Sequence, residues 1–326
     1  MRDPAFLLFG LRPDAFSWRG VYLLALVFGG SLLGAGLLAP PLYFGIQALA
    51  SGADDGLWAY LARHPFPRYV DRLRWLPVLL ALPWLIRACG LGSARALGLS
   101  RPVPWRLFGG ALLGGFAMLG LLAGIQLSAD AVDPRPNAFA LLTVSLLPQA
   151  LLSGLLIAVL EETIFRGLVL RQFYSALRPW PAIFATSLFF ALLHFKKIPP
   201  SVWGPDSVVG WDSGLYVAMW TVGSVIATFD GLFFANYLLV GVVLCLVTLR
   251  TGSLWAGIGL HAGWVAFLRA YGTVFAEPGQ ATLLLGGTRI IDGLVSFAML
   301  AALAVWLART KPEGTRDPAP APASMA

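Results

Sequence analysis

Apolar residues run along this chain in long blocks instead of alternating with polar ones. Between clusters of charge, proline and glycine, the blocks fall near 20–48, 75–92, 107–128, 139–173, 181–195, 231–249, 254–271 and 287–308. A helix needs roughly 20 predominantly apolar residues to cross the hydrocarbon core of a bilayer, and several of these blocks meet that length with few or no charges. Irregular backbone cannot face lipid, because its N–H and C=O groups find no partners there. The pattern therefore predicts an all-α fold, a polytopic transmembrane helical bundle of about eight spans. One further stretch, 214–229, is short, carries Thr221, Ser224 and Thr228, and is bounded by Asp212 and Asp230. It reads as a ninth span or as a re-entrant or interfacial segment. Five regions follow: an N-terminal cytoplasmic or interfacial segment (1–19), N-terminal transmembrane helices (20–138), a helical core (139–271), a C-terminal transmembrane helix (272–308) and a Pro/Ala-rich disordered tail (309–326).

Composition strengthens the membrane reading. Of 326 residues, 58% are hydrophobic and only 12% charged, with a mean hydropathy of +0.77; an ordinary soluble domain carries about 25% charge. The formal net charge of +7 would point to nucleic acid in a soluble protein. Here the arginines flank apolar blocks, so they read as topological anchors in contact with anionic membrane lipid, and no nucleic-acid partner is expected. The N-terminus shows no small-residue cleavage site after an apolar run, so no removable signal peptide is expected. Cys89 and Cys245 lie in or beside apolar blocks and support neither a disulfide framework nor a thiolate metal site. Gly30 with Gly34, Gly110 with Gly114 and Gly259 with Gly263 have the spacing of small-residue faces at which helices pack closely. The Ala/Gly/Leu/Arg-rich style points to a multi-pass protein of a bacterial inner (cell) membrane.

Against this background, Ala158–Leu170 (AVLEETIFRGLVL) is anomalous. An ionised side chain at the centre of a spanning helix costs about 2.5–3.5 kcal/mol on insertion scales, so Glu161, Glu162 and Arg166 must face protein or a water-filled cavity. Glu162 and Arg166 are four apart and share a helix face, where a salt bridge offsets part of both penalties. Glu161 points about 100° away, toward something else. Two of the three histidines, His194 and His261, also sit in apolar blocks, while His64 belongs to an Arg-rich loop. Two imidazoles and a diacidic pair on three apolar segments are the groups a bundle can gather into one buried site. A carboxylate there is a candidate general base for water, with an imidazole orienting that water or stabilising an oxyanion. Alternatively, Glu161 and both imidazoles hold a divalent metal such as zinc with a position open for water. Either arrangement can hydrolyse a peptide bond. No HExxH helix, P-loop or GxGxxG loop competes.

These residues resemble the CPBP family of intramembrane proteases (CAAX protease and bacteriocin-processing, or Abi), whose pattern is EExxxR, then FxxxH, then HxxxN. EETIFR supplies Glu161, Glu162 and Arg166; FALLH supplies Phe190 and His194; the run from Arg250 to Trp264 carries His261. The resemblance covers roughly Pro148 to Phe267. It implies an intramembrane endopeptidase acting on a membrane-embedded or lipid-anchored protein or peptide. In that scheme Glu161 activates water and Glu162 assists or is held by Arg166. His194 and His261 orient water and polarise the carbonyl, or bind metal together with Glu161, and Phe190 fixes the His194 ring. One position departs: Val265 stands where the family usually has the asparagine thought to bind the oxyanion, and valine cannot donate a hydrogen bond. Asn236, in the preceding apolar block, is the candidate substitute on the substrate side, the other reading being a helix-to-helix hydrogen bond. Trp203, Trp211 and Trp220 in the stretch after His194 read as aromatic anchoring or as a gate.

Two other classes stay open. Val265 favours a catalytically impaired member acting as an immunity or maturation partner. Buried Glu, His and Arg also mark transporters and proton relays, although no inverted repeat is visible.

Overall fold

The structure is a computed structural model that describes residues 18–52, 54–99, 102–137, 140, 146–195, 202–204, 206–278, 282–287 and 289–310. Residues 1–17 and 311–326, which hold most of the expected N-terminal segment and tail, lie outside them. The described residues are helical apart from one two-stranded sheet and the connections, as the blocky pattern predicts. Among the described residues, three helices are long and apolar enough to cross a membrane: Arg19–Ala50, Trp105–Ser128 and Gly231–Thr251. Helices of this length and hydropathy are those of an integral membrane protein. The stretch expected at 214–229 forms a shorter apolar helix, Ser213–Ala227.

The chain divides into two compact units, each built from separated stretches: one from Ser93–Leu188 and Ala235–Ala326, the other from Ser17–Gly92 and Phe189–Phe234. In the second unit, α1 (Arg19–Ala50) is followed by α2 (Gly56–Ala62), α3 (Phe66–Leu73) and α4 (Trp75–Ala88). The closest helix approach there is between Gly36 of α1 and Gly214, where a Cβ on Gly214 would overlap the Gly36 carbonyl. The core around it contains Ala35, Ala39, Phe66, Tyr69, Val70 and Val217, with Trp203 packed against it. Trp203 lies 5.3 Å from the Phe66 ring, so this tryptophan is a packing residue of its unit, while Trp211 is exposed.

In the first unit, α5 (Trp105–Ser128) precedes α6 (Leu146–Glu162). A π-helical turn, Thr163–Val169, joins α6 to α7 (Leu170–Ala176), and α8 (Pro179–Leu192) follows. Helix α9 (Ser213–Ala227) belongs to the second unit, and the first resumes with α10 (Gly231–Thr251), α11 (Leu254–Val274) and α12 (Leu294–Arg309). The sharp connection from α10 to α11 follows from local sequence: Gly252 takes φ +63°, and the Ser253 hydroxyl caps α11 by accepting from the Trp255 amide at 3.2 Å. Strands β1 (Val132–Pro134) and β2 (Phe275–Pro278) pair antiparallel, with Val132 opposite Pro278, and so tie the ends of α5 and α11.

Helix α11 is the axis of this unit, with α5 and α6 packed along it. A Cβ on Gly259 would overlap the Phe108 carbonyl, one on Gly263 the Leu112 carbonyl, and one on Gly154 of α6 would sit 2.7 Å from the Ala262 carbonyl oxygen. Close backbone approach of this kind replaces the hydrophobic drive that is missing between helices in lipid. The Gly259 and Gly263 pair is therefore a packing face, as its spacing predicts. Gly30, Gly34, Gly110 and Gly114 are not: a Cβ there meets nothing within 4 Å. Spacing alone cannot distinguish a glycine that faces a neighbouring helix from one turned away from it.

Candidate active site

Glu161 and Glu162 end α6, at the point where the backbone opens into the π turn that carries Arg166. A π turn re-aims side chains relative to a continuous α ladder, and such turns recur at functional sites. Glu162 and Arg166 are both fully buried. Arg166 Nη1 donates to Glu162 Oε1 at 2.9 Å, and Nη2 donates to the Gly241 carbonyl of α10 at 3.3 Å. The i,i+4 pair anticipated from sequence is thus formed, and the arginine also ties the turn to α10. Removing either charge would leave the other without its compensating partner in a dry interior.

His261 arrives from α11, two residues beyond the Gly259 approach that sets this helix against α5. Its Nδ1 lies 2.8 Å from Glu162 Oε1. An ionised carboxylate can only accept, so Nδ1 carries the proton in this bond, on the opposite side of the ring from Nε2. That Nε2 is 3.8 Å from Glu161 Oε2. The two adjacent glutamates are therefore unlike. Glu162 is sealed beneath the imidazole and bonded to Arg166, whereas the Glu161 side chain keeps 25% of its surface exposed on the outer side of the ring. The Glu161 oxygen that faces His261, Oε2, is itself buried and accepts no hydrogen bond, so solvent meets the rest of this side chain, while Glu162 Oε1 is closed off by its two donors. The arrangement, carboxylate to imidazole to second carboxylate, orients the ring and leaves one base accessible, the logic by which hydrolases fix a histidine tautomer.

His194 lies just past the end of α8, in the second unit. Its Nδ1 is 2.8 Å from the Phe190 carbonyl oxygen, again an acceptor, so Nδ1 carries the proton here too. The Phe190 ring lies 4.5 Å from the imidazole, which is the packing contact expected of FxxxH. Asn236, buried on α10, donates through Nδ2 to the Gly293 carbonyl at 3.3 Å and accepts from Ser296 Oγ at 2.9 Å. These bonds clasp α10 to the start of α12, which is the structural reading of this residue.

Sequence reasoning missed two residues. Thr248 and Gly257 both approach the inner side of Glu162: a Cβ on Gly257 would sit 3.0 Å from Glu162 Oε2 and 3.2 Å from Thr248 Oγ1. The available signal was Gly257 one helical turn before His261, on the same face of α11.

Glu161 Oε2 and His261 Nε2 are near enough to share one cation. Catalytic zinc sites, however, draw on three protein ligands, and among the described residues no group of three or more His, Cys, Asp or Glu side chains is placed to hold a metal ion. The donor set among the described residues of this unit therefore does not complete a zinc site.

Fold and site define a class: an integral membrane helical protein with a buried, charge-balanced Glu–Arg–His group and an accessible glutamate beside it. Residues 143–267 match the family model described as Type II CAAX prenyl endopeptidase Rce1-like, so this segment is similar to an Rce1-like domain, consistent with a CPBP intramembrane protease. The match spans α6 to α11, the elements that carry Glu161, Glu162, Arg166, His194 and His261, and implies a hydrolase. No curated protein and no solved structure matches the chain.

Proposed function

We propose that the protein is a multi-pass intramembrane endopeptidase, with about eight spans in a bacterial inner membrane. It hydrolyses a peptide bond in a membrane-embedded or lipid-anchored protein or peptide. The observation that carries this reading is the unequal environment of the two glutamates about His261. Glu161 takes a proton from water as that water attacks the scissile carbonyl carbon. His261, held through Nδ1 by Glu162, keeps Nε2 toward the reacting water and receives or returns a proton there. Arg166 balances the Glu162 charge, so that the buried carboxylate stays ionised and serves as a fixed acceptor. His194, its tautomer set by the Phe190 carbonyl, has by resemblance a share in orienting water and polarising the carbonyl. The proton on Glu161 then goes to the leaving amine, which restores the carboxylate.

The test is cleavage of a quenched, membrane-anchored peptide library by purified protein in nanodiscs, with wild type set against Glu161→Gln and His194→Ala, each with and without chelator. Loss of cleavage in both variants and no effect of chelator is the expected result. Chelator-sensitive cleavage restored by zinc would transfer the assignment to a metalloprotease using Glu161, His194 and His261.

Val265 favours a second reading, a lapsed enzyme acting as a maturation or immunity partner. Losing one oxyanion donor typically lowers turnover about 10²–10³-fold. On the enzyme reading, Val265→Asn raises kcat by roughly 10-fold or more. A chain that cleaves nothing until Val265→Asn is introduced, and whose cellular phenotype survives Glu161→Gln, would establish the partner reading instead.

A further inference from the structure

The arginines beside the second apolar block differ in exposure. Arg63, Arg68 and Arg72 are exposed, as expected of anchors whose charged heads stay among water and headgroups. Arg74 departs from them. Its side chain keeps only 11% of its surface exposed. It stands where α3 gives way to α4, the last charge before the apolar run that opens with Trp75.

Part of that burial is balanced. Arg74 Nη2 donates to Asp71 Oδ1, and the guanidinium lies 5.8 Å from the centre of the Trp75 ring. The Nε–H is not balanced: it is buried and has no hydrogen-bond partner among the described residues. A buried donor of a charged group costs more to leave unmade than a neutral one. Asp71, with 46% of its side chain exposed, is solvated in its own right and engages one of the five N–H donors of the guanidinium.

Arg74 also borders a cavity of about 230 Å³, all of whose lining residues belong to the second unit. Its walls include Phe28 and Gly29 of α1, Trp75 and Val78 of α4, and Phe189, and Arg74 is the one charged group that lines it. The Phe28 ring packs edge-on against Phe189 at 5.3 Å and Trp75 at 6.4 Å, which fixes three of the walls. Gly29 leaves the groove open, because a Cβ there would meet nothing within 4 Å.

We propose that this groove binds one anionic phospholipid of the surrounding bilayer, with an acyl chain along Phe28, Val78 and Phe189 and the phosphate at Arg74. Apolar walls reward a chain, and a buried guanidinium with an unsatisfied N–H rewards an anion; a phospholipid carries both. Trp75 marks the level at which the two meet, since tryptophan favours the boundary between headgroups and hydrocarbon. Basic pockets between membrane helices hold anionic headgroups in this way. The site goes beyond the general attraction of flanking arginines for anionic lipid, because one lipid is assigned to one groove, and it is independent of the proposed proteolysis.

The test is lipid retention by the full-length protein in detergent, incubated with phosphatidylglycerol or phosphatidylcholine of identical chains and read by native mass spectrometry. Phosphatidylglycerol binds about 10-fold more tightly than phosphatidylcholine, and Arg74→Gln removes that preference. Arg72→Gln, at an exposed position, leaves it within about 2-fold. Gly29→Leu fills the groove and weakens phosphatidylglycerol binding about 10-fold with Arg74 intact. Leucine is a better helix former than glycine, so the Tm of this variant stays at or above that of wild type. Equal retention of the two lipids, equal loss in Arg72→Gln and Arg74→Gln, or undiminished retention in Gly29→Leu would overturn the proposal. Full competition by glycerol 3-phosphate would do the same, since the anion would then be held without its chain. Displacement by a palmitoylated neutral peptide that ignores Arg74→Gln would assign the groove to a substrate chain instead.

Discussion

Adjacent glutamates on a helix differ by about 100° in direction, and at Glu161 and Glu162 that rotation separates two environments. Glu162 turns inward and is spent on structure: it compensates the fully buried Arg166 and holds His261 Nδ1. Removing it leaves a guanidinium in a dry interior without its anion, a change that typically costs about 3–5 kcal/mol. Glu162→Ala should therefore lower the Tm markedly as well as abolish cleavage. Glu161 has no comparable structural bond. Glu161→Gln should unfold within about 2 °C of wild type while losing at least about 10³-fold in kcat, as expected when a reacting group that must accept a proton becomes one that cannot. A substantial loss of Tm in Glu161→Gln would mean that the two roles are not divided in this way. The diacid, the arginine and the histidines were all legible in sequence, because charge in an apolar block is costly and so conspicuous. The difference between the two carboxylates was not, since it depends on which of them α11 covers.

At the scale of elements, the site depends on how closely α11 lies against α5 and α6. His261 can reach Glu162 because Gly259, Gly263 and Gly154 let backbones approach within the space a side chain would fill. Gly263→Leu should force α5 and α11 apart, shift His261 by its helix and lose most cleavage together with a large drop in Tm. Gly110→Leu, also a glycine of α5's apolar surface, should be nearly neutral in the same assay, because a Cβ there meets nothing within 4 Å. Equal damage from both would show that the packing face has been assigned to the wrong glycines. Sequence spacing proposed three small-residue pairs and could not rank them, since a glycine's own neighbourhood in sequence says nothing about the face its helix presents. The π turn Thr163–Val169 was equally invisible. An extra residue in a helical ladder leaves no compositional mark, and EETIFR reads as continuous α-helix.

For the whole molecule, hydropathy decides the environment. Helices such as Trp105–Ser128 expose Leu113 and Leu121 at 68% and 60%, surface that only lipid or detergent can cover at this density. The protein should remain in the pellet after alkaline carbonate extraction of membranes; release into the supernatant would contradict integration. Long apolar blocks with few charges determined the all-helical membrane fold, because every backbone polar group in hydrocarbon must be satisfied within its own segment. The same blocks isolated Glu161, Glu162, Arg166, His194 and His261 as the groups worth explaining. What the sequence could not decide was which of these meet. His261 is 99 residues from Glu162, and their contact, the sealed arginine beneath it, and the approach of Thr248 and Gly257 exist only once α10 and α11 close on α6. Local pattern specifies what a residue costs in a given medium; tertiary packing decides which partner offsets that cost.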